Sequence, residues 1–163
     1  MTTPVERDGW QLVEAADKDL DELMSWFGGP DETDIWAGPR FRFPFTRATF
    51  RKDSHWGRMP GFRLNSPDGR FAAFGQMYRR YGRINLARLV VNPAMRGQGV
   101  GKRLVGMLIE VGPALFDGEE FSLFAYRHNA AALGCYRSMG FVIREYPEGA
   151  RMADLCYYLT RPV

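Results

Sequence analysis

Long uncharged runs are missing from this chain. The longest stretch without Asp, Glu, Lys or Arg runs from His128 to Tyr136, nine residues. A membrane-spanning helix needs roughly 20 apolar residues, so no transmembrane segment is expected. Cysteine is nearly absent. Cys135 and Cys156 are the only two, too few for a disulfide framework and wrongly spaced for zinc, so no metal site is expected. The only histidines are His55 and His128; a lone histidine is more simply a surface or capping residue than a base. There is no internal repeat, low-complexity tract or linker. The start, Met1 to Trp10, carries Glu6, Arg7 and Asp8 and has no apolar core; it does not read as a secretory signal, and the expected location is the cytoplasm.

What remains is an ordinary globular composition. The chain has 163 residues, 45% hydrophobic and 25% charged, which fits one domain over residues 1–163 with a real core. The net charge, 22 − 19 = +3, is mild, but its distribution is not. No acid occurs from Gly69 to Ile109, a window holding Arg70, Arg79, Arg80, Arg83, Arg88, Arg96, Lys102 and Arg103. Residues Ile35 to Lys52 are also acid-free. Such a field favours an anionic ligand, although a basic run is most often a solvated face. No helix-turn-helix, zinc-finger or RNA-binding signature accompanies it, so nucleic acid is an unsupported partner.

The pattern along the chain predicts a strand over Trp10–Ala15. A helix follows, capped by Asp17, with Leu20, Leu23, Met24 and Phe27 at helical spacing and Gly28-Gly29 as its stop. Pro30 to Phe45, rich in Gly, Pro and aromatics, reads as an irregular, functional stretch, and a short helix is expected from Thr46. Strands Phe62–Asn65 and Arg70–Tyr78 flank the turn Ser66-Pro67-Asp68-Gly69. Arg80-Tyr81-Gly82 turns into strand Ile84–Val91, which completes an antiparallel meander. Val100, Leu104, Met107, Leu108 and Val111 then form one face of a long helix. Phe121–Tyr126 is a strand, Asn129 caps a helix that ends at Gly140, and Phe141–Tyr146 and Leu155–Thr160 finish as strands. The expected class is α/β (α+β): a mixed, mostly antiparallel sheet with helices on both faces.

The most informative segment is Leu89-Val90-Val91-Asn92-Pro93-Ala94-Met95-Arg96-Gly97-Gln98-Gly99-Val100-Gly101-Lys102. An apolar strand runs into a glycine-rich turn that opens a helix. The first N–H groups of a helix lack internal partners and carry partial positive charge, and glycines let a phosphate approach them. A nucleoside-triphosphate loop fails here, because Arg96 stands where its first Gly belongs and Arg103 where Ser or Thr belongs. A dinucleotide fingerprint fails at Lys102, where its third glycine is required.

Arg96, Gly99 and Gly101 fit the acyl-CoA-binding pattern of the GNAT superfamily of N-acetyltransferases: Arg or Gln, two residues, Gly, one residue, then Gly or Ala. A second segment, Asn129 to Phe141, resembles the family's later motif, with Tyr136 seven residues after Asn129 and a closing Gly140-Phe141. The order of elements from Trp10 to the C-terminus is similar to the family fold. The resemblance implies acetyl-CoA as co-substrate. It implies that Leu89, Val90 and Val91 pair with the pantetheine arm and that Arg96, Gly97, Gln98, Gly99, Val100, Gly101 and Lys102 hold the pyrophosphate. Asn129 would lie near the pantetheine, and Tyr136 would protonate the departing thiolate. A phenol within reach of a basic sulfur can do so; outside the motif, Tyr136 would read as a core tyrosine.

The usual bases of the family are absent. Acetyltransferases of ribosomal-protein N-termini carry a Glu five residues before the motif Asn, where this chain has Phe124. Other members place a carboxylate on the strand before the loop, and Ile84 to Val91 has none. The proton of the acceptor would then leave through water toward Asp31, Glu32 or Asp34, which read equally as a solvated cluster. The expected function is acetyl transfer from acetyl-CoA to a primary amine. A non-catalytic acyl-CoA sensor or nucleic-acid-binding module is the alternative. No oligomeric state is legible, a homodimer being the commonest closed assembly.

Overall fold

Short β-rich segments separated by turn residues fold into one sheet. The computed structural model describes residues 4–163; Met1, Thr2 and Thr3, part of the segment read against a secretory signal, lie outside the described residues. The strands are β1 Val5–Arg7, β2 Trp10–Glu14, β3 Gly61–Asn65, β4 Phe71–Arg80, β5 Arg83–Val91, β6 Glu120–Tyr126, β7 Val142–Arg144 and β8 Cys156–Pro162. They lie in the order β1-β2-β3-β4-β5-β6-β8-β7. Every neighbouring pair is antiparallel except β5 and β6. The class is the expected one, mixed and mostly antiparallel. In the Ser66–Gly69 turn, Gly69 takes φ +82° and its N–H donates to the Ser66 carbonyl at 2.8 Å.

The helices are α1 Leu20–Ser25, α2 Pro30–Ala37, α3 Arg47–Asp53, α4 Val100–Leu115 and α5 Ala130–Ser138. The crossover from β5 to β6 runs through α4, which is why this one pair is parallel. The predicted stripe of α4 is buried at all five positions, and it packs with Leu133 of α5, Met77, Ile84 and Phe121 into the larger core. On the other face α1, α2 and α3 build an aromatic cluster with β4, centred on Trp36, Phe50, Phe71 and Phe74. Trp36 stacks on Phe50 at 5.5 Å. Among the described residues no helix is long and apolar enough to cross a membrane.

Three expectations are corrected. The stretch Pro30–Phe45 is not wholly irregular, because α2 occupies its first half. Pro30 in the first turn and the acids Asp31 and Glu32 behind it suit a helix start, but only Thr33 and Trp36 turn inward, too few to make an apolar stripe. Asp17 does not cap. The chain makes a 3-10 turn over Asp17–Asp19 before α1, and the Ala16 N–H donates to the Asp19 carboxylate at 2.8 Å. Asp17 instead accepts from Arg51 at 2.8 Å and from the Trp56 indole at 2.9 Å. Finally, β1 was not expected; it adds an edge strand to β2.

Candidate active site

The site begins as a gap in the sheet. β5 and β6 pair only at Ile84–Phe121 and Asn85–Ser122. The Ser122 hydroxyl donates to the Asn85 side chain at 3.1 Å in the core at this point. Beyond it the strands part, and residues 86–91 present a backbone edge toward β6 that pairs with no strand. The cause is a bulge. Phe74 pairs with Val90 and Gln76 with Ala87, so Arg88 and Leu89 together oppose Gly75. An extra residue bends its strand and sharpens the twist. Arg88 carries the strained conformation, φ +50°. Gly75 is the residue that lets Leu89 lie across β4, since a Cβ there would sit 2.7 Å from the Leu89 Cδ2.

The bulge is held from α2, where the Trp36 indole N–H donates to the Arg88 carbonyl at 2.8 Å. Trp36→Phe keeps a ring in the cluster but leaves this carbonyl unpaired. A fully buried acceptor without a donor costs about 1–3 kcal/mol, and this bond is part-buried, which puts the loss toward the lower end. The variant is expected to lose about that much in urea unfolding and to show a several-fold lower kcat/KM; unchanged values in both measurements would mean that the bond does not hold the bulge.

At the open end of the gap, β5 runs through Asn92 into a 3-10 turn over Pro93–Met95. The Asn92 side chain accepts from the Ala94 N–H at 3.0 Å and donates to the Phe71 carbonyl at 2.9 Å, tying the turn to β4. Gly97 and Gly99 then take φ +75° and +77°. Gly99 precedes α4 with no side-chain cap, and the first turn holds no acid, so its leading N–H groups are free for an anion. A Cβ on Gly97 or Gly99 would meet no protein atom within 4 Å, so the loop is open where those side chains would point. Arg96, Gln98 and Lys102 are exposed around it, while Val100 is buried and roots the helix. This cradle fits a pyrophosphate, and Leu89 and Val91, packed toward α4, with Val90 against the aromatic cluster, lead from it into the gap.

α5 approaches the gap on the α4 face. Asn129 caps it as predicted, accepting from the Ala132 N–H at 3.3 Å, which leaves its amide hydrogens for other partners. Tyr136 packs on the larger core, edge-on to Phe141 at 6.1 Å, and its hydroxyl has no hydrogen-bond partner among the described residues. Burial pushes the phenol well above its ordinary pKa, with a smaller push from Cys135. The phenol is therefore protonated throughout the neutral range. Burial also raises the Cys135 thiol, which suits a packed residue rather than a nucleophile.

The opposite face brings together groups that lie far apart in the sequence. The Tyr126 hydroxyl on β6 donates to Asp34 of α2 at 2.7 Å, and His128 stacks on the Tyr126 ring at 5.1 Å. Burial, then the bond to Asp34, raises the Tyr126 phenol. Phe124 lies under the Arg80 guanidinium, 4.6 Å from its carbon to the ring centre. Arg88 reaches Gln76. Of the three acids proposed as a proton sink, only Asp34 is brought to β6; Glu32 accepts from the Gly28 N–H at 3.3 Å, and Asp31 is exposed. His55 is in the turn after α3, at φ +53°. One local signal could have found Arg88: it is the only charge between Ile84 and Val91.

Residues 30–141 match the acetyltransferase (GNAT) family, more than half of the chain. The chain belongs to this family. The acetyltransferase is similar in fold to a spermidine N-acetyltransferase from Vibrio cholerae, solved with CoA and spermine, with 13% identity, a TM-score of 0.73 and coverage of 96% of each chain. A GCN5-related N-acetyltransferase from Kribbella flavida matches with 19% identity, TM-score 0.72 and coverage of 96% of this chain and 99% of that one. The ribosomal-protein-S18-alanine N-acetyltransferase of Escherichia coli matches with 22% identity, TM-score 0.63 and coverage of 94% and 93%. The acetyltransferase is thus an acetyl-CoA-dependent N-acyltransferase.

Proposed function

We propose that the acetyltransferase moves the acetyl group of acetyl-CoA directly onto a primary amine. The amine nitrogen bonds to the thioester carbonyl carbon, the carbon–sulfur bond breaks, and amide and free thiol result. In this reading residues 96–102 and the N-terminus of α4 bind the pyrophosphate. Leu89, Val90 and Val91 offer the backbone edge to the pantetheine arm, and Asn129 donates to it from α5. A backbone N–H of the bulge stabilises the developing oxyanion. Tyr136 gives its proton to the sulfur. The observation that carries the reading is the gap between β5 and β6, open to the glycine cradle and flanked by Tyr136. Steady thiol release from acetyl-CoA across a panel of amines and peptides, with the acetylated product identified by mass spectrometry, tests it. Tight acetyl-CoA binding with no release for any acceptor would favour the sensor alternative.

No dedicated base stands beside the thioester in this proposal. Phe124 takes no proton, and the Asp34 carboxylate already accepts the Tyr126 hydroxyl. An alkylammonium near pKa 10.4 must therefore lose its proton through water, so only the neutral fraction reacts. With an alkylamine acceptor, kcat/KM is expected to rise about tenfold per pH unit between about pH 6.5 and 9. A plateau near neutrality that Asp34→Asn or His128→Gln removes would instead reveal a base.

A further inference from the structure

The acceptor side of the gap contains a cation without a counter-ion. Arg88 is half-buried and sits on the bulge itself. Its Nη1 donates to the Gln76 Oε1 at 3.0 Å and lies 3.4 Å from the Met59 sulfur. Its Nη2 makes only a 3.5 Å contact with the Asp53 carbonyl, and its Nε, shielded from solvent, has no partner among the described residues. No carboxylate among them pairs with it. Asp53 is the one acid close enough to act on it, but both Asp53 oxygens are taken by the Arg42 fork, at 3.0 and 2.8 Å. Arg80 acts on Arg88 as a like charge, and Tyr78 is the remaining titratable neighbour. The Tyr78 hydroxyl already accepts from Arg80 at 3.0 Å.

We propose that Arg88 binds the carboxylate of the acceptor, so that the substrate class is an amino acid or another amino-carboxylate; this rests on the acetyl-transfer reading above. Nε and Nη2 form the side-on edge of a guanidinium, the pair of donors that Arg42 uses on Asp53 in this same protein; because the Arg88 Nε is closed to solvent, a carboxylate takes this edge only as the side chains over it move aside. A planar carboxylate matches that edge with two parallel bonds. The uncompensated N–H is costly inside a protein and cheap once an anionic oxygen accepts from it. Two neighbouring guanidiniums also disfavour a polyamine, and they disfavour the ammonium form of a bound amine, which must be neutral to attack. Position supports the assignment: Arg88 is the residue before Leu89–Val91, the segment proposed to take the pantetheine arm. The carboxylate itself is a spectator in the transfer.

The test compares kcat/KM for the proteinogenic amino acids, the same compounds as carboxamides, aminoalkylphosphonates and spermidine, by thiol release. A preferred amino acid is expected to exceed its carboxamide at least tenfold. Arg88→Gln is expected to cut that acid-to-amide ratio about tenfold, to near unity, and Arg88→Lys less, because lysine keeps the charge and loses the fork. The ratio cancels any general damage to the bulge, and the wild-type ratio decides alone if the variant does not fold. Carboxamides or spermidine equal to the acids, or a ratio unmoved in Arg88→Gln, would overturn the assignment while acetyl transfer stands. Phosphonates outranking the acids would overturn the choice of carboxylate. The absence of release with every amine tested removes the acetyl-transfer reading and this one with it.

Discussion

Tyr136→Phe is expected to lower kcat about 10²-fold while acetyl-CoA affinity stays within about twofold of wild type. The hydroxyl has no hydrogen-bond partner among the described residues, so its removal costs the fold no bond. The ring, packed edge-on to Phe141, is retained. What is lost is the proton. Burial keeps the phenol protonated, so it has a proton to give to sulfur as the carbon–sulfur bond breaks, and the phenolate it leaves takes a proton back from solvent before the next turnover. Because the phenol is raised and not lowered, wild-type kcat should show no falling alkaline limb below about pH 9.5. Steady-state kinetics, calorimetric titration with acetyl-CoA and thermal melts of both proteins check all three statements. Equal kcat in the two proteins would make Tyr136 a core residue only.

Gly99→Val is expected to weaken CoA binding about 10²-fold or more in calorimetry. Gly99 stands at φ +77°, a conformation that costs an ordinary residue about 1–2 kcal/mol and a β-branched one more. The valine therefore either turns the leading N–H groups of α4 away from the cradle or places its side chain where no protein atom lies within 4 Å, the space assigned to the pyrophosphate. Gly101→Ala separates backbone from ligand effects. Gly101 is helical, and a Cβ there would rest 3.5 Å from the Val91 Cγ2, an ordinary contact. This variant should keep CoA affinity within about threefold and gain up to about 1 kcal/mol of stability from helix propensity. Full affinity in Gly99→Val would displace the pyrophosphate from the loop.

Much of this architecture was legible because its signals are local. The α4 stripe repeats at helical spacing within 12 residues, and all five positions are buried. Asn129 and Gly140 mark the start and stop of α5 through capping and a left-handed backbone, which act over a few residues; Asn129 caps and Gly140 takes φ +90°. The glycine loop was readable for the same reason, since its conformations and free N–H groups depend on the loop and the helix it opens. Where two local signals compete, burial decides between them. Asp17 and Asp19 are equally good starts by type, and only burial against Arg63, at 2.7 Å, selects Asp19. In α2 the start signals of Pro30 and the acids compete with the Gly, Pro and aromatic residues that follow, and the helix lacks an apolar stripe because Ile35 is exposed.

By itself, then, the sequence determined the order of the elements other than β1 and α2, the mixed sheet and the glycine-rich turn into α4, because short-range backbone preferences and apolar periodicity specify each of them. Only the tertiary structure decided where β5 leaves β6. That depends on a register shift against β4, which spacing along β5 does not encode. The same holds for the acceptor side. Asp34 and Tyr126 are 92 residues apart when they meet, and Arg88 reads as one more basic residue until Arg42 is seen to hold both oxygens of Asp53. Charge compensation is a property of neighbours in space, so an arginine left without a partner becomes visible only once the chain has folded.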